Sequence, residues 1–357
     1  MPHEDPAEGI DLSLDSYDFD LPPEQIAREP ARPRDHARLL VVDRRAAGWT
    51  DSRFDALPSH LRKGDVLVLN NTRVIKARVH GTLDRTGREL ELLFAVSIDP
   101  RNWLAMIRPG RRIRTGDRIH ITGVPDCVLE VRGKDSDGLS TVTLLPGCHL
   151  GIEDVLEAVG HVPLPPYMER TDRPRDAEDY QTTYARHHGA IAAPTAGLHF
   201  SPETFAALAE RGVQAVELTL HVGVGTFLPI RGNDASRHTI KPERFEMDAE
   251  TAEALNRTRA DGRRIVAVGT TTTRTLEYLM GVHGRFIAGS GETDLYLVPG
   301  HRFRAIDALV TNFHLPRSTL LLLVSAFAGR QTVLAAYRHA IESGYRFYSY
   351  GDATLFQ

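Results

Sequence analysis

Residues 264–280 read RIVAVGTTTTRTLEYLM, and this stretch decides the fold. The apolar, β-branched run at 264–268 reads as a buried strand. Gly269 and four threonines follow, and 272–280 then reads as a helix. The same texture extends on both sides. Strands fit 190–193, 214–221 and 309–313, and helices fit 248–259, 320–328 and 332–343. Ser201-Pro202-Glu203 opens a further helix with a hydroxyl cap and a proline in the first turn. Gly212 should close it. Strands alternating with helices predict an α/β domain, which the strand at 39–43 is expected to join.

Between residues 64 and 150 the texture changes. Short strands at 66–69, 74–80, 90–96, 103–107, 118–121, 127–131 and 140–144 are separated by turns at 84–87, 109–110, 115–116 and 137–138. No helical period appears among them, so a small β-barrel or sandwich is expected. A helix fits 152–159, and a proline-rich linker follows at 161–166. The fold class reads as α/β: a catalytic α/β domain at 16–62 and 152–357, with a small antiparallel β-barrel domain inserted at 63–151. The first 15 residues are acidic and patternless, and are expected to be disordered.

Hydrophobic content of 41% and charged content of 25% describe an ordinary globular protein. The longest apolar run, 320–324, is far short of the roughly 20 residues of a membrane span. No basic start leads into an apolar run at the N-terminus, so a cytoplasmic protein without a membrane partner is expected. Cys127 and Cys148 lie in no C-x-x-C pattern, which argues against zinc, and a cytosolic chain is not expected to join them. The net charge of −4 argues against a uniformly basic nucleic-acid binder. It leaves room for local patches. Arginines cluster at Arg28, Arg32, Arg34 and Arg38, at Arg108, Arg111, Arg112 and Arg114, and at Arg170, Arg173 and Arg175. Arginine can fork onto phosphate and stack on bases.

No G-x-G-x-x-G after a strand, Walker A, H-E-x-x-H or G-x-S-x-G motif occurs. Four less common loops interrupt strand ends, where open α/β sheets bind ligands. The first, 193–200 (APTAGLHF), offers Thr195, Gly197 for close backbone approach, His199 for proton movement, and Phe200. The second, 221–227 (HVGVGTF), places His221 at a strand end before Gly223, Gly225 and Thr226. The third, 269–274 (GTTTTR), sets Thr270, Thr271, Thr272 and Arg274 at a helix N-terminus, which favours carboxylate, phosphate or ribose oxygens. The fourth, 311–316 (TNFHLP), holds Asn312 and His314. Taken singly, each loop also reads as structural. The adjacent His187 and His188 have no third ligand spaced with them, so no metal site is expected.

Several long, unusual stretches run nearly end to end: 69–78 (LNNTRVIKAR), 160–167 (GHVPLPPY), 192–200 (AAPTAGLHF), 219–227 (TLHVGVGTF), 268–277 (VGTTTTRTLE) and 311–329 (TNFHLPRSTLLLLVSAFAG). In these the chain resembles the S-adenosylmethionine:tRNA ribosyltransferase-isomerase family of queuosine biosynthesis. The resemblance implies transfer and isomerisation of the ribosyl group of S-adenosylmethionine onto 7-aminomethyl-7-deazaguanine. The acceptor would be the wobble base of a tRNA with a GUN anticodon. Epoxyqueuosine would form, with adenine and methionine released. The resemblance also implies a monomer that uses S-adenosylmethionine as co-substrate, with no other cofactor and no metal.

That chemistry needs a base for the ribose carbon beside the sulfonium, an acid for the departing adenine and a free attacking amine. His199, His221 and His314 are expected to share these tasks. Gly223, Gly225 and Thr226 are expected to hold the donor, and 270–274 to take its carboxylate. Asn71 and Arg73, with the first loop and Asn312, are expected at the substrate, and Arg108, Arg111, Arg112 and Arg114 on the tRNA backbone. The chain departs from the family's usual pattern in three places. Asn71 stands where an aspartate is usual, Lys241 where a second histidine is often found, and Glu292 where an aromatic is common. Two other readings fit these residues: the same chemistry on a free deazapurine, and a catalytically inactive RNA-binding homologue.

Overall fold

The computed structural model describes residues 10–135, 138–223, 225 and 232–357. In chain order its strands are β1 (Arg38–Asp43), β2 (Gly48–Arg53), β3 (Val66–Asn70), β4 (Thr72–Val74), β5 (Arg78–Leu83), β6 (Arg88–Asp99), β7 (Asn102–Arg108), β8 (Arg118–Ile121), β9 (Val128–Lys134), β10 (Leu139–Leu144), β11 (His187–Ala190), β12 (Gln214–Leu220), β13 (Glu243–Met247), β14 (Ile265–Val268), β15 (Gly289–Thr293), β16 (Ala308–Asn312) and β17 (Ala353–Phe356). The helices are α1 (Leu57–His60), α2 (Ile152–Val159), α3 (Asp176–Asp179), α4 (Pro202–Glu210), α5 (Ala249–Ala260), α6 (Thr270–His283), α7 (Thr319–Ala328) and α8 (Arg330–Glu342).

Nine strands form one sheet, in the order β15-β13-β12-β3-β14-β16-β17-β1-β2. The central β12, β3, β14 and β16 run parallel. Every residue of β3, β14 and β16 is buried, as a parallel sheet covered on both faces requires. Leu255, Leu276, Leu279, Leu321, Leu322 and Tyr337 of α5 to α8 pack on one face. Leu57 of α1, Leu208 of α4 and Phe200 pack on the other. Real caps start these helices: Ser201 Oγ accepts the Thr204 N–H, and Asp248 accepts that of Thr251.

Six antiparallel strands close a barrel, in the order β10-β7-β6-β5-β8-β9. Burial along β7 alternates residue by residue, so Trp103, Ala105 and Ile107 fill the interior with Leu92 and Phe94. The expected fold class, an α/β domain with an inserted small antiparallel barrel, is thus what the chain adopts. No single helix among the described residues is long and apolar enough to cross a membrane.

Four expectations are corrected. The run at 66–69, read as a barrel strand, is β3 at the middle of the large sheet, hydrogen-bonded to β12 and β14. Its unbroken apolar character belongs to a strand buried on both faces, whereas the barrel strands alternate. The run at 74–80 is not one strand, because β4 ends at Val74 and β5 begins at Arg78. Of the N-terminal 15 residues, 1–9 lie outside the described residues, but Leu14 is 2% exposed in the main core. The Leu14 N–H donates to Asn233 O. Finally, Cys127 and Cys148 form a disulfide, with Cα atoms 4.7 Å apart. The antiparallel register that sets Leu129 opposite Leu144 brings them together, and spacing along the chain carries no sign of it.

Candidate active site

The four parallel strands end on one side of the sheet, and polar residues knit those ends together. Asn70 closes β3. Its amide donates to Leu220 O at 2.9 Å and its carbonyl accepts the Leu220 N–H at 3.0 Å. The same amide lies 3.5 Å from Thr271 Oγ1 at the start of α6. Asn70 therefore fixes the ends of β12 and β14 relative to β3. This is the crevice where open α/β sheets bind ligands.

A cleft of about 760 Å³ opens beside these ends, between the sheet and the barrel. From the sheet side come Arg73, Gly189, His221, Gly223 and Glu243; from the barrel, Val96, Ser97 and Trp103. Helix α2 adds Glu153 and Glu157. Such a volume is within the range of small-molecule sites. His221 is half-buried at its wall, and its Nδ1 lies 2.8 Å from Thr72 Oγ1. Burial, and secondarily the charge of His187, hold its pKa below the ordinary 6.5. At neutral pH it is an uncharged imidazole able to accept a proton. No described residue hydrogen-bonds its Nε2. Arg73 is exposed at the cleft and pairs with no described acid.

The glycine loop is held from behind. Glu243 Oε1 accepts the Gly223 N–H at 3.1 Å, and Glu243 Oε2 meets Arg274 Nη1 at 2.7 Å. Arg274 also donates to Leu295 O. Its guanidinium is therefore committed within the protein, and the expectation that it takes a substrate carboxylate is corrected. Gly225 is half-buried near Lys241, and Thr226 lies outside the described residues. Among the threonines, Thr273 Oγ1 bonds back to Gly269 O and Thr272 is fully buried. Thr270, 8% exposed, and the half-buried Thr271 begin α6, whose cap residue Gly269 has no side chain to satisfy its N–H groups, and neither lines the cleft.

The structure does not bring His199 and His314 to the cleft. His199 is 4% exposed, packs over Phe54 with ring centres 5.0 Å apart and accepts a hydrogen bond from Asn312 Nδ2 at 3.1 Å. His314 is equally enclosed, sharing a 3.0 Å hydrogen bond with Thr311 Oγ1. Burial pushes both imidazoles down to about 3. Phe200 is wholly buried, against Phe54, Tyr184 and Phe205. Gly197 is needed because a Cβ there would lie 2.0 Å from Tyr184 Oη. Its role in this geometry is internal packing, not approach to a ligand. Thr195 is half-buried in the same turn.

Asn71 is buried beside the cleft. Its amide donates to Glu217 at 3.0 Å and its carbonyl accepts from Thr219 Oγ1 at 2.7 Å. A carboxylate could not make the first bond, so the departure from aspartate suits this chain's own Glu217. Arg108, Arg111, Arg112 and Arg114 are exposed at the rim of the barrel away from the cleft. None of them pairs with an acid among the described residues. From Trp103 at the cleft to Arg108, β7 spans roughly 16 Å at ~3.3 Å per residue. Thr72, Gly189, Glu243 and Gln181 were not anticipated as site residues. Gln181 clamps Val74 through both its backbone groups.

A sequence model of the queuosine biosynthesis protein family matches residues 14–356. The chain belongs to that family. It is 49% identical to the S-adenosylmethionine:tRNA ribosyltransferase-isomerase of Mesorhizobium japonicum, over 96% of this chain and 98% of that one. It is 48% identical to the protein of the same name from Rhizobium rhizogenes, over 96% and 99%. A crystal structure of S-adenosylmethionine tRNA ribosyltransferase from Thermotoga maritima is also similar. It shares 35% identity and a TM-score of 0.55, over 96% of this chain and all of that one. As a member of this family the chain is a transferase and isomerase of queuosine biosynthesis.

Proposed function

We propose that the protein transfers the ribosyl group of S-adenosylmethionine to 7-aminomethyl-7-deazaguanine at the wobble position of a GUN-anticodon tRNA and isomerises it to epoxyqueuosine. Adenine and methionine leave. The observation that carries this reading is His221, whose Nε2 meets no hydrogen-bond partner among the described residues, at the wall of a cleft between the parallel strand ends and the barrel. In this reading Nε2 takes the proton from the ribose carbon beside the sulfonium. Positioned acid–base groups of this kind contribute about 10² to 10⁴ in rate. Gly223 and Gly225 border the donor, and Arg73 meets its carboxylate.

The four rim arginines hold the phosphates of the anticodon stem while the loop enters the cleft. Along β7 this rim begins roughly 16 Å from the cleft at ~3.3 Å per strand residue, a span an RNA stem can bridge. In this reading the protein acts as a cytoplasmic monomer, with S-adenosylmethionine as co-substrate and no other cofactor.

The deciding experiment is adenine release from S-adenosylmethionine, with tRNA carrying 7-aminomethyl-7-deazaguanine, with unmodified tRNA and with the free base. Release with the modified tRNA alone is expected. Release with the free base alone would move the chemistry to a small-molecule acceptor. Absence of release in all three would overturn the enzymatic reading.

A further inference from the structure

Strands β4 and β11 form a separate two-stranded parallel sheet whose register slips between His188 and Ala190. The slip falls at Gly189, with φ at +143°. A Cβ on this residue would lie 2.9 Å from both Cε1 and Nδ1 of His221. Real Cβ atoms do not approach so closely, so only glycine leaves the imidazole its present place. Across the pair, the fully buried Thr72 has its hydroxyl 2.8 Å from His221 Nδ1 and 3.4 Å from His187 O.

A threonine hydroxyl has one proton. The His187 carbonyl can only accept, whereas Nδ1 can accept or donate. Both contacts are satisfied in one way: the hydroxyl donates to His187 O, and Nδ1–H donates to the hydroxyl. That leaves the lone pair on Nε2. We propose that Thr72 and Gly189 are positioning residues that hold His221 as the Nδ1–H tautomer, with Nε2 as the proton acceptor facing the cleft. This rests on the reading of His221 as the acid–base group. When Nε2 accepts a proton from substrate carbon, the imidazolium keeps its Nδ1–H on Thr72, and the C–H electron pair stays with the substrate.

Tautomers are distinguished by ¹⁵N shifts of the full-length protein labelled at histidine, with the His221 signals identified by their loss in His221→Gln. A protonated Nδ1 and a bare Nε2 are expected. In the adenine-release assay, Thr72→Val should lower kcat about 10- to 100-fold with little change in KM, as loss of a residue supporting a reactive histidine does. Thr72→Ser should restore most of the rate, and Gly189→Ala should reproduce the valine defect.

The acidic limb of kcat/KM adds a readout that simple damage would not move. Thr72 stabilises the imidazolium by accepting from Nδ1–H, so Thr72→Val should shift that limb to lower pH. The charged groups facing His221 are His187 from β11 and Arg244 and Glu246 from β13, and all three are unchanged in the variant. An Nε2–H tautomer in the wild type, or wild-type turnover by Thr72→Val, overturns the proposal. Near-normal turnover by His221→Gln overturns instead the reading of His221 on which it rests.

Discussion

Arg274 and Glu243 face each other at 2.7 Å, with side chains only 7% and 5% exposed, and the second oxygen of Glu243 holds the N–H of Gly223. One buried ion pair thus ties α6 to the glycine loop at the cleft. Breaking such a pair from one side leaves a charge without a partner, which costs about 3–5 kcal/mol. Arg274→Met should lose stability on that scale in urea unfolding, and so should Glu243→Gln, whose single amide oxygen cannot accept from both Gly223 and Arg274 and which leaves the guanidinium without a counter-charge. A loss below about 1 kcal/mol for Arg274→Met, the level of an exposed pair, would contradict this.

Asn71 meets Glu217 through its amide. Restoring the family's usual aspartate should set two carboxylates together and remove a donor, costing about 1–3 kcal/mol at neutral pH. Glu217→Gln in the same chain should recover most of it. Equilibrium unfolding of the two single variants and the double variant measures the coupling; additive losses would count against it.

His199 and His314 are buried as neutral imidazoles, with pKa values near 3 against an ordinary 6.5. Between those values the unfolded chain binds more protons than the folded one, so stability rises with pH. Their contribution is complete above pH 6.5 and is lost as pH falls toward 3. Each should add a slope of about 1.4 kcal/mol per pH unit below 6. Denaturant unfolding at pH 7, 6 and 5 tests this, and His314→Asn should remove about 1.4 kcal/mol per pH unit of that slope. A flat profile from pH 6 to 5 would show that both rings gain protons in the fold.

The rim arginines make a prediction separable from catalysis. If Arg111 and Arg112 each neutralise one phosphate, changing either to alanine should reduce the log–log salt slope of tRNA binding by about 0.7 to 0.9. Turnover at saturating tRNA should change little. Equal slopes for wild type and variants would place the RNA elsewhere.

Much of the fold was legible locally. Residues 152–159 and 320–328 announce their helices, which the structure places at Ile152–Val159 and Thr319–Ala328. The run at 264–268 announces its strand by β-branched residues. The edge strands β2 and β15, and β13 beside β15, escaped because they are short and largely polar, and β17, though apolar, has only four residues. The site was legible only in outline. The loop 221–227 was found through its glycines, yet Glu243, which holds that loop, lies about twenty residues away with nothing local to mark it.

By itself, the sequence determined the family, the α/β class with its inserted barrel, and the loops that gather at the strand ends. These follow from local spacing and from long unusual stretches, which survive without knowledge of what packs where. Only the tertiary structure decided which histidine meets the cleft. His199, His221 and His314 look alike along the chain, each beside a strand end or turn. Burial separates them: two are sealed against Phe54, Asn312 and Thr311, and one stands at the cleft wall with no partner for Nε2 among the described residues. The same holds for Arg274, which a helix N-terminus offers to a ligand and a buried carboxylate claims first. Desolvation and pairing are properties of the folded surroundings, and residues distant in sequence supply them.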